Sequence, residues 1–202
     1  MSFLNTKFIK EVKVKKLSYH NTSDGISYVC DLYVGNTKVA DVENHGNGGD
    51  SMITFYNKDG SYRASHIDSD GKTMFMKLCD KHKAGKIMAD AYNNAADGFS
   101  IKNWKETDFD VDGIISTLVE DFIALKDMDK DLKRYQTKNI CYGTPNSSSF
   151  KTIGWRKSIS AIMSLNGGKE VVQKEIDSVK KEIKGTDQVI LNTNLDKLGL
   201  KV

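Results

Sequence analysis

The sequence predicts an α+β fold in which an antiparallel N-terminal sheet packs on a long central helix and a ββααβ segment follows. Apolar and polar residues alternate with period two over residues 26–34, which is typical of a half-buried strand. Apolar residues recur every three or four positions over 111–135, which is typical of an amphipathic helix. A chain of 202 residues favours a single domain. Its expected parts are a β meander over 1–70, a helical middle over 71–137 and a mixed part over 138–202.

The first third predicts about five antiparallel strands. The run Ile26–Val34 is followed by Gly35-Asn36, a two-residue turn typical of hairpins, and by a partner strand over Thr37–Glu43. A preceding strand is expected within Val12–Tyr19. A second hairpin is expected from Met52–Tyr56 and Tyr62–Ile67, with Asp59-Gly60 at the turn.

Two helices are expected in the middle of the chain. The first runs from Thr73 to about Tyr92, and a loop over Asn93–Thr107 follows, with Phe99 and Trp104 packing inward. The apolar face of this helix contains Phe75, Leu78, His82 and Ala89.

The second helix, over Val111–Tyr135, is the strongest in the sequence. Asp108, Asp110 and Asp112 crowd its start, where unpaired N–H groups and the helix dipole favour negative charge. Phe122 lies near the middle of the apolar stripe, so Phe122→Ala is expected to cost about 3–5 kcal/mol if the site is core. The stripe consists of Val111, Ile114, Ile115, Leu118, Phe122, Leu125, Met128, Leu132 and Tyr135.

The last third alternates between short strands and helices. A turn with the only proline, Pro145, separates the first two strands, and glycines follow the first helix. The expected elements are strands at Asn139–Tyr142 and Phe150–Trp155, helices from Ser158 to about Asn166 and from Lys169 to Lys184, and a strand at Gln188–Leu191.

Composition excludes several classes of protein. Three cysteines are too few for a disulfide scaffold and suit a reducing compartment. No apolar run approaches the ~20 residues of a membrane span, and the first residues lack the apolar core of a signal peptide. We therefore expect a cytoplasmic protein without membrane contact, and no cofactor motif is complete.

Charge bears on nucleic-acid binding. Residues 138–202 hold 11 basic and 6 acidic residues, a formal charge of +5. The chain has 27 lysines but only three arginines, and bidentate reading of bases relies mostly on arginine. Sequence-specific DNA recognition is not expected. Non-specific binding to phosphates stays open, through Lys169, Lys174, Lys180, Lys181 and Lys184.

The most distinctive local feature is the glycine-rich stretch Asn44–Ser51. Backbone N–H groups in such a stretch can hold an anion, which makes His45, Gly46, Gly48 and Gly49 candidate ligand-binding residues for a nucleotide or phosphate. The stretch is not a dinucleotide fingerprint, because Ser51 occupies the third glycine position, and it lacks the lysine of a P-loop. A turn or bulge that needs glycine is the favoured interpretation.

A second candidate anion-binding site follows the helix over Val111–Tyr135. Thr144 in the segment Cys141–Pro145, together with Arg156 and Lys157 beyond a serine-rich loop, are its candidate residues. A turn set by Pro145 between two strands is the favoured interpretation.

Two metal patterns are incomplete, and no metal site is predicted. Asp108–Gly113 copies the first half of a calcium loop, but Val119 stands where the bidentate glutamate belongs. Cys79 and His82 could share a metal with His45 or His66, yet a buried thiol and a core histidine are the ordinary interpretation.

Three segments carry a resemblance to a known group. Val42–Gly49 after a hairpin, Cys141–Pro145, and Ile190–Leu195 near the end resemble, in order and spacing, a group of small accessory proteins found in tailed-phage genomes. The group has no assigned activity, so the resemblance implies no catalytic residue. It implies a phage-encoded protein that acts in the infected bacterial cytoplasm, where such proteins often bind host machinery or blunt host defence.

We therefore expect a non-enzymatic binding protein with a host or phage protein as its partner. No catalytic motif is complete: Gly49-Asp50-Ser51 resembles a nucleophile setting, but every histidine lies at or before position 82. The alternatives left open are sequestration of a nucleotide or phosphate by the glycine-rich stretch and non-specific nucleic-acid binding.

Overall fold

The computed structural model describes Phe3 and residues 6–56, 73–95, 104–147 and 149–202. Whereas the sequence predicts one domain, the chain divides into two compact units, Met1–Ile123 and Ala124–Val202. The predicted α+β class is confirmed in both of them. No helix in the described part is long and apolar enough to cross a membrane.

The first unit begins with a short helix, α1 (Lys7–Glu11), and contains a four-stranded antiparallel sheet whose strands are neighbours in the order in which they occur along the chain. The predicted hairpin is confirmed: Val34 pairs with Thr37 across Gly35-Asn36, and Gly35 has φ +60°. The predicted strand at Tyr62–Ile67, the Asp59-Gly60 turn, Phe99 and His66 lie outside the described residues. The strands are β1 (Val12–Asn21), β2 (Ile26–Val34), β3 (Thr37–Asn44) and β4 (Met52–Phe55).

The register of β1 and β2 shifts between Lys15 and Ser18. Lys16 has φ +52°, an uncommon value for a residue with a side chain, and its ammonium group lies 2.9 Å from the Asp31 carboxylate. The shift is a β-bulge that places Lys16 and Asp31 together in an ion pair.

The predicted helix from Thr73 to Tyr92 is wrong, because two helices occupy the region: α2 (Met74–His82) and α3 (Ala84–Ala95). Lys83 ends α2 in the left-handed conformation, and its N–H bonds to Asp80 and Cys79. No glycine or proline marks this break, and the apolar periodicity continues across it. After the break Gly85 packs on a 3₁₀ turn, where a Cβ would lie 2.7 Å from the carbonyl oxygen of Glu106.

The predicted loop over 93–107 is shorter at its start, because α3 extends to Ala95. The ring of Trp104 packs against the rings of Tyr92 and Phe109, in agreement with the prediction that Trp104 packs onto the rest of the protein. The Asn93 side chain accepts from the Trp104 N–H and donates to the Trp104 carbonyl oxygen, which fixes this segment beside α3.

The long helix α4 (Val111–Tyr135) has the predicted bounds. The Asp110 carboxylate accepts the Gly113 N–H at 2.8 Å, which confirms an N-terminal role for this charge. Only the first half of the helix packs in the core of the sheet, and Phe122 is half-buried there rather than central. The buried residues of that half include Ile114, Ile115, Leu118, Val119 and Ile123.

Departures from the predicted stripe have a geometric reason. Ile114, Ile115 and Leu118 of the stripe are buried, and so are Val119 and Ile123, which lie outside it. The buried face is therefore rotated toward Val119 and Ile123, and because a straight α-helix turns 100° per residue, Phe122 lies at its margin. Farther along the helix, Tyr135 is 38% exposed.

The second unit has a three-stranded sheet in the order β6-β5-β7 and two helices, close to the predicted ββααβ segment. Its core is formed by β5, both helices and the last residues, including Ile140, Ile176, Leu195 and Leu200. Its elements are β5 (Asn139–Gly143), β6 (Lys151–Gly154), α5 (Ile159–Met163), α6 (Gly168–Glu182) and β7 (Val189–Ile190).

The segment Asn192–Asn194 completes the hydrogen bonding of β5. The Asn192 side chain accepts from the Cys141 N–H at 2.6 Å and donates to the Asn139 carbonyl oxygen at 2.9 Å. The Gln136 side chain accepts from the Thr193 N–H at 3.0 Å. This part of the Ile190–Leu195 segment therefore has a structural role, because the Asn192 side chain makes backbone hydrogen bonds to β5 that a neighbouring strand would otherwise make.

We expect Asn192→Ala to destabilise the second unit by about 1–3 kcal/mol, because the Cys141 N–H loses its acceptor. Urea unfolding followed by Trp155 fluorescence in a Trp104→Phe background measures this loss. Asn166→Ala, at an exposed turn residue of the same unit with an ordinary negative φ, is the control for a general effect of losing an asparagine. Equal stability of Asn192→Ala and the parent would contradict the role given to Asn192.

Candidate functional site

A cavity of about 360 Å³ lies in the first unit beneath the glycine-rich stretch. Its wall comes from the start of β2, the end of β3, the loop that follows and the first half of α4. The lining residues are Asp24, Gly25, Ile26, Tyr28, Asn44, Gly46, Gly48, Gly49, Asp50, Ser51, Asp110, Asp112, Gly113, Ser116 and Glu120. Three candidates from the sequence, Gly46, Gly48 and Gly49, therefore meet at one cavity.

Asparagine side chains occupy loop N–H groups that an anion would need. The Gly46 N–H bonds to Asn44 Oδ1 at 2.7 Å, and the Gly49 N–H bonds to Asn47 Oδ1 at 3.2 Å. The Asn44 amide nitrogen donates to the Gly49 carbonyl oxygen and to Ser51 Oγ, both at 3.2 Å. These bonds stabilise the loop internally, and they take two donors away from an anion cradle.

Gly46 is buried for a structural reason. Its φ is +70°, and a Cβ at this position would lie 2.6 Å from the backbone nitrogen of Ser27. Its carbonyl oxygen accepts a short hydrogen bond from the Thr22 hydroxyl. The favoured sequence interpretation, a turn that needs glycine, describes Gly46 well.

Three hydroxyls form a triangle in the cavity wall. Tyr28 Oη lies 2.8 Å from Ser51 Oγ, which lies 3.0 Å from Ser116 Oγ, and the Tyr28 and Ser116 hydroxyls interact as well. Burial raises the pKa of Tyr28, although bonds from Ser116 and Ser51 oppose the rise. Three contacts can use all three hydroxyl protons, and Ser51 Oγ also accepts the Asn44 amide, so the Tyr28 and Ser116 oxygens are the ones that keep a lone pair for a ligand.

Five carboxylates line the same cavity, which has no lysine, arginine or histidine among its described lining residues. Burial, and then the charge of Asp121, raises the pKa of Glu120. The Asp110 carboxylate is engaged by the helix start, as described above. The cavity thus presents hydrogen-bond acceptors and negative charge, which favours a cation that carries N–H donors.

His45, the fourth candidate of the stretch, is outside the lining. Its ring is 60% exposed, and Nδ1 lies 3.8 Å from a Glu43 carboxylate oxygen. The described hydrogen-bond partners of Ser51 Oγ are hydroxyls and an amide. Neither His45 nor a described hydrogen-bond partner of Ser51 Oγ is therefore placed as a general base that would activate Ser51 as a nucleophile.

The candidates Thr144, Arg156 and Lys157 belong to the second unit. Tyr142 pairs with Lys151 and Asn139 with Gly154, so Thr144 follows one end of the β5-β6 hairpin and Arg156 follows the other. The turn is confirmed, since the Ser147 N–H bonds to the Thr144 carbonyl oxygen at 3.2 Å. Within this hairpin the register keeps Thr144 apart from Arg156 and Lys157.

The incomplete metal patterns have other partners. His82 Nε2 lies 2.8 Å from Glu11 Oε1, and its ring packs edge-on against Phe8. Burial raises the pKa of the Cys79 thiol to about 12, which opposes the thiolate that a metal requires. Across the described residues, no group of three or more metal-binding side chains is placed to hold an ion.

Sequence reasoning missed Tyr28, Ser116 and Glu120. Tyr28 belongs to the alternating run of β2, and the structure buries its ring while its hydroxyl reaches the cavity. A usable signal existed on α4: Asp112, Ser116 and Glu120 are four residues apart, and such residues are neighbours on one helix face.

Comparisons with known proteins identify no relative of this chain. The chain matches no family model, and neither a curated protein nor a solved structure is significantly similar to it.

Proposed function

We propose that the protein is a non-enzymatic binding protein, phage-encoded and active in the cytoplasm of the infected bacterium, whose first unit binds a positively charged group of a protein partner. The group is the ammonium of a lysine or the guanidinium of an arginine on a host or phage protein. Interference with a host defence protein is one role that such binding serves. The binding needs no cofactor.

The observation that carries the proposal is the negative charge that lines the 360 Å³ cavity without a described lysine, arginine or histidine beside it. Its five carboxylates and the hydroxyl triangle match the donors of a lysine or arginine side chain. The same lining repels phosphate, and two glycine N–H groups are already bonded to asparagines. Sequestration of a nucleotide at this site is therefore the weaker alternative.

Calorimetric titration with a hexalysine peptide, a hexa-arginine peptide and ATP in 50 mM salt tests the proposal. We expect a basic peptide to bind, to lose affinity at higher salt and to protect the first unit from unfolding, whereas ATP gives no heat at this site. A ligand at 100 times its Kd stabilises the folded state by about 2.7 kcal/mol. Binding of ATP together with silence of both peptides would overturn the proposal.

Matched variants locate the site. Asp50→Asn and Glu120→Gln each remove one negative charge from the lining and should weaken peptide binding several-fold. Asp90→Asn and Asp129→Asn remove the same charge from exposed helix positions where each aspartate pairs with a lysine. If the two pairs of variants weaken binding equally, the peptides bind the general surface and the cavity is not the site.

The affinity should also depend on pH through Glu120. Its raised pKa means that Glu120 takes up a proton before an ordinary carboxylate does as pH falls, while a bound cation favours the ionised form. Affinity for the basic peptide should therefore fall on acidification while pH is still above the ordinary range near 4.3. In Glu120→Gln the fall in peptide affinity above this pH should vanish. If the fall persists in this variant, another titratable group causes it.

A further inference from the structure

A second cavity, of about 650 Å³, lies on the second unit beside the exposed side of α6. The last residues of the chain form part of its border. Four lysines line it, accompanied by two carboxylates, those of Glu170 and Asp177. The lysines are Lys169, Lys174, Lys181 and Lys201.

The packing of α6 fixes which side carries these lysines. Val172, Ile176 and Val179 are fully buried, so the helix presents its charged side to solvent. The Gln173 side chain accepts from the Lys201 N–H at 2.9 Å and donates to the Lys201 carbonyl oxygen at 3.0 Å. These two bonds hold the terminal segment along the helix and make the cavity a fixed feature of the unit.

Positive charge in this cavity is not neutralised by ion pairs. Within the described residues, none of the four ammonium groups lies within salt-bridge distance of a carboxylate. One oxygen of Asp177 is occupied by the Gln173 amide, at 3.1 Å. Lys180 differs from the four, because it donates to the Lys201 carbonyl oxygen.

The length of the lysine row indicates an extended anion. Lys169 and Lys181 are 12 residues apart, which corresponds to about 18 Å along a helix at 1.5 Å per residue. A single phosphate cannot contact both ends, whereas one strand of B-DNA places about five phosphates along that distance at 3.4 Å each. No arginine lines the cavity, so the contact would carry charge without reading bases.

We propose that this cavity binds the phosphodiester backbone of a nucleic acid without sequence preference. Lysines at positions 169, 174, 181 and 201 contact phosphates spaced along the backbone and release their counterions. The inference is independent of the function proposed for the first unit, because the residues and the charge of the ligand are both different.

Fluorescence anisotropy with a labelled 20-base-pair DNA, a 20-nucleotide RNA and polyglutamate tests this inference across a salt series. For duplex DNA we expect log K to fall with log salt at a slope of about −3 to −4, from about −0.9 for each phosphate contacted. The comparison of DNA with RNA identifies the source of the phosphodiester. Absence of binding at 50 mM salt, or equal binding of polyglutamate, would overturn the proposal.

The double variant Lys174→Gln, Lys181→Gln should make the slope shallower by about 1.8 and weaken binding about tenfold or more at low salt. The matched control is Lys86→Gln, Lys133→Gln, which removes the same charge from lysines that already pair with aspartates. Circular dichroism and thermal unfolding check that both proteins are folded. Equal losses in the two double variants would contradict a site at α6.

Discussion

Leu118→Ala is expected to lower the free energy of unfolding of the first unit by about 2–5 kcal/mol. Leu118 is fully buried in the core formed by the sheet and the first half of α4, and the substitution leaves a cavity there. A domain of this size has about 5–15 kcal/mol of stability in total. Urea unfolding followed by Trp104 fluorescence in a Trp155→Phe background isolates the response of this unit.

Phe122→Ala is the matched comparison on the same helix. The sequence predicts a cost of about 3–5 kcal/mol for Phe122→Ala if Phe122 is core, but the structure leaves its side chain half-buried, so part of the removed surface is already in contact with water. Phe122→Ala should therefore cost less than Leu118→Ala despite the larger side chain. The opposite order would mean that Phe122, and not only Leu118, is a central residue of the core.

Gly46→Ala should be the most damaging single change in the glycine-rich stretch. A residue with a Cβ costs about 1–2 kcal/mol in the left-handed conformation that Gly46 adopts at φ +70°. The new methyl group also meets the Ser27 backbone nitrogen at 2.6 Å, which forces β2 or the loop to move. Thermal unfolding of the variant, read by Trp104 fluorescence, should show a loss larger than the conformational cost alone.

Gly48→Ala separates the two contributions. Gly48 has φ +77°, but a Cβ there meets nothing within 4 Å, so only the conformational cost applies. We expect Gly48→Ala to lose about 1–2 kcal/mol and Gly46→Ala to lose clearly more. If both variants lose the same amount, the close approach of Gly46 to β2 does not contribute to stability.

The spacing of apolar residues predicted those elements that depend on local sequence alone. The hairpin around Gly35-Asn36 and the bounds of α4 follow from alternation, turn type and the spacing of apolar residues, all of which are local. The break at Lys83 could not be predicted, since lysine has no preference for φ +53°. The partial burial of Phe122 likewise depends on how the helix is rotated against the sheet.

The candidate site was predicted in part. Glycines mark a special backbone, so Gly46, Gly48 and Gly49 were found, but the charge of their surroundings comes from residues distant in sequence. Ser116 of α4 lies 3.0 Å from Ser51 and Glu120 lines the same cavity, and these residues are why the ligand proposed above is a cation and not the anion that the glycines predicted. A local pattern identifies a loop, whereas its neighbours in space determine what the loop can bind.

The bulge at Lys16 also has a consequence for the behaviour of the protein at high concentration. β1 ends the described sheet, and a regular ten-residue edge strand is a template onto which strands of other molecules can add. The left-handed Lys16 interrupts the ladder in the middle of this edge, and charged Lys13 and Lys15 stand beside it. Addition of a strand from another molecule at the β1 edge is thereby hindered.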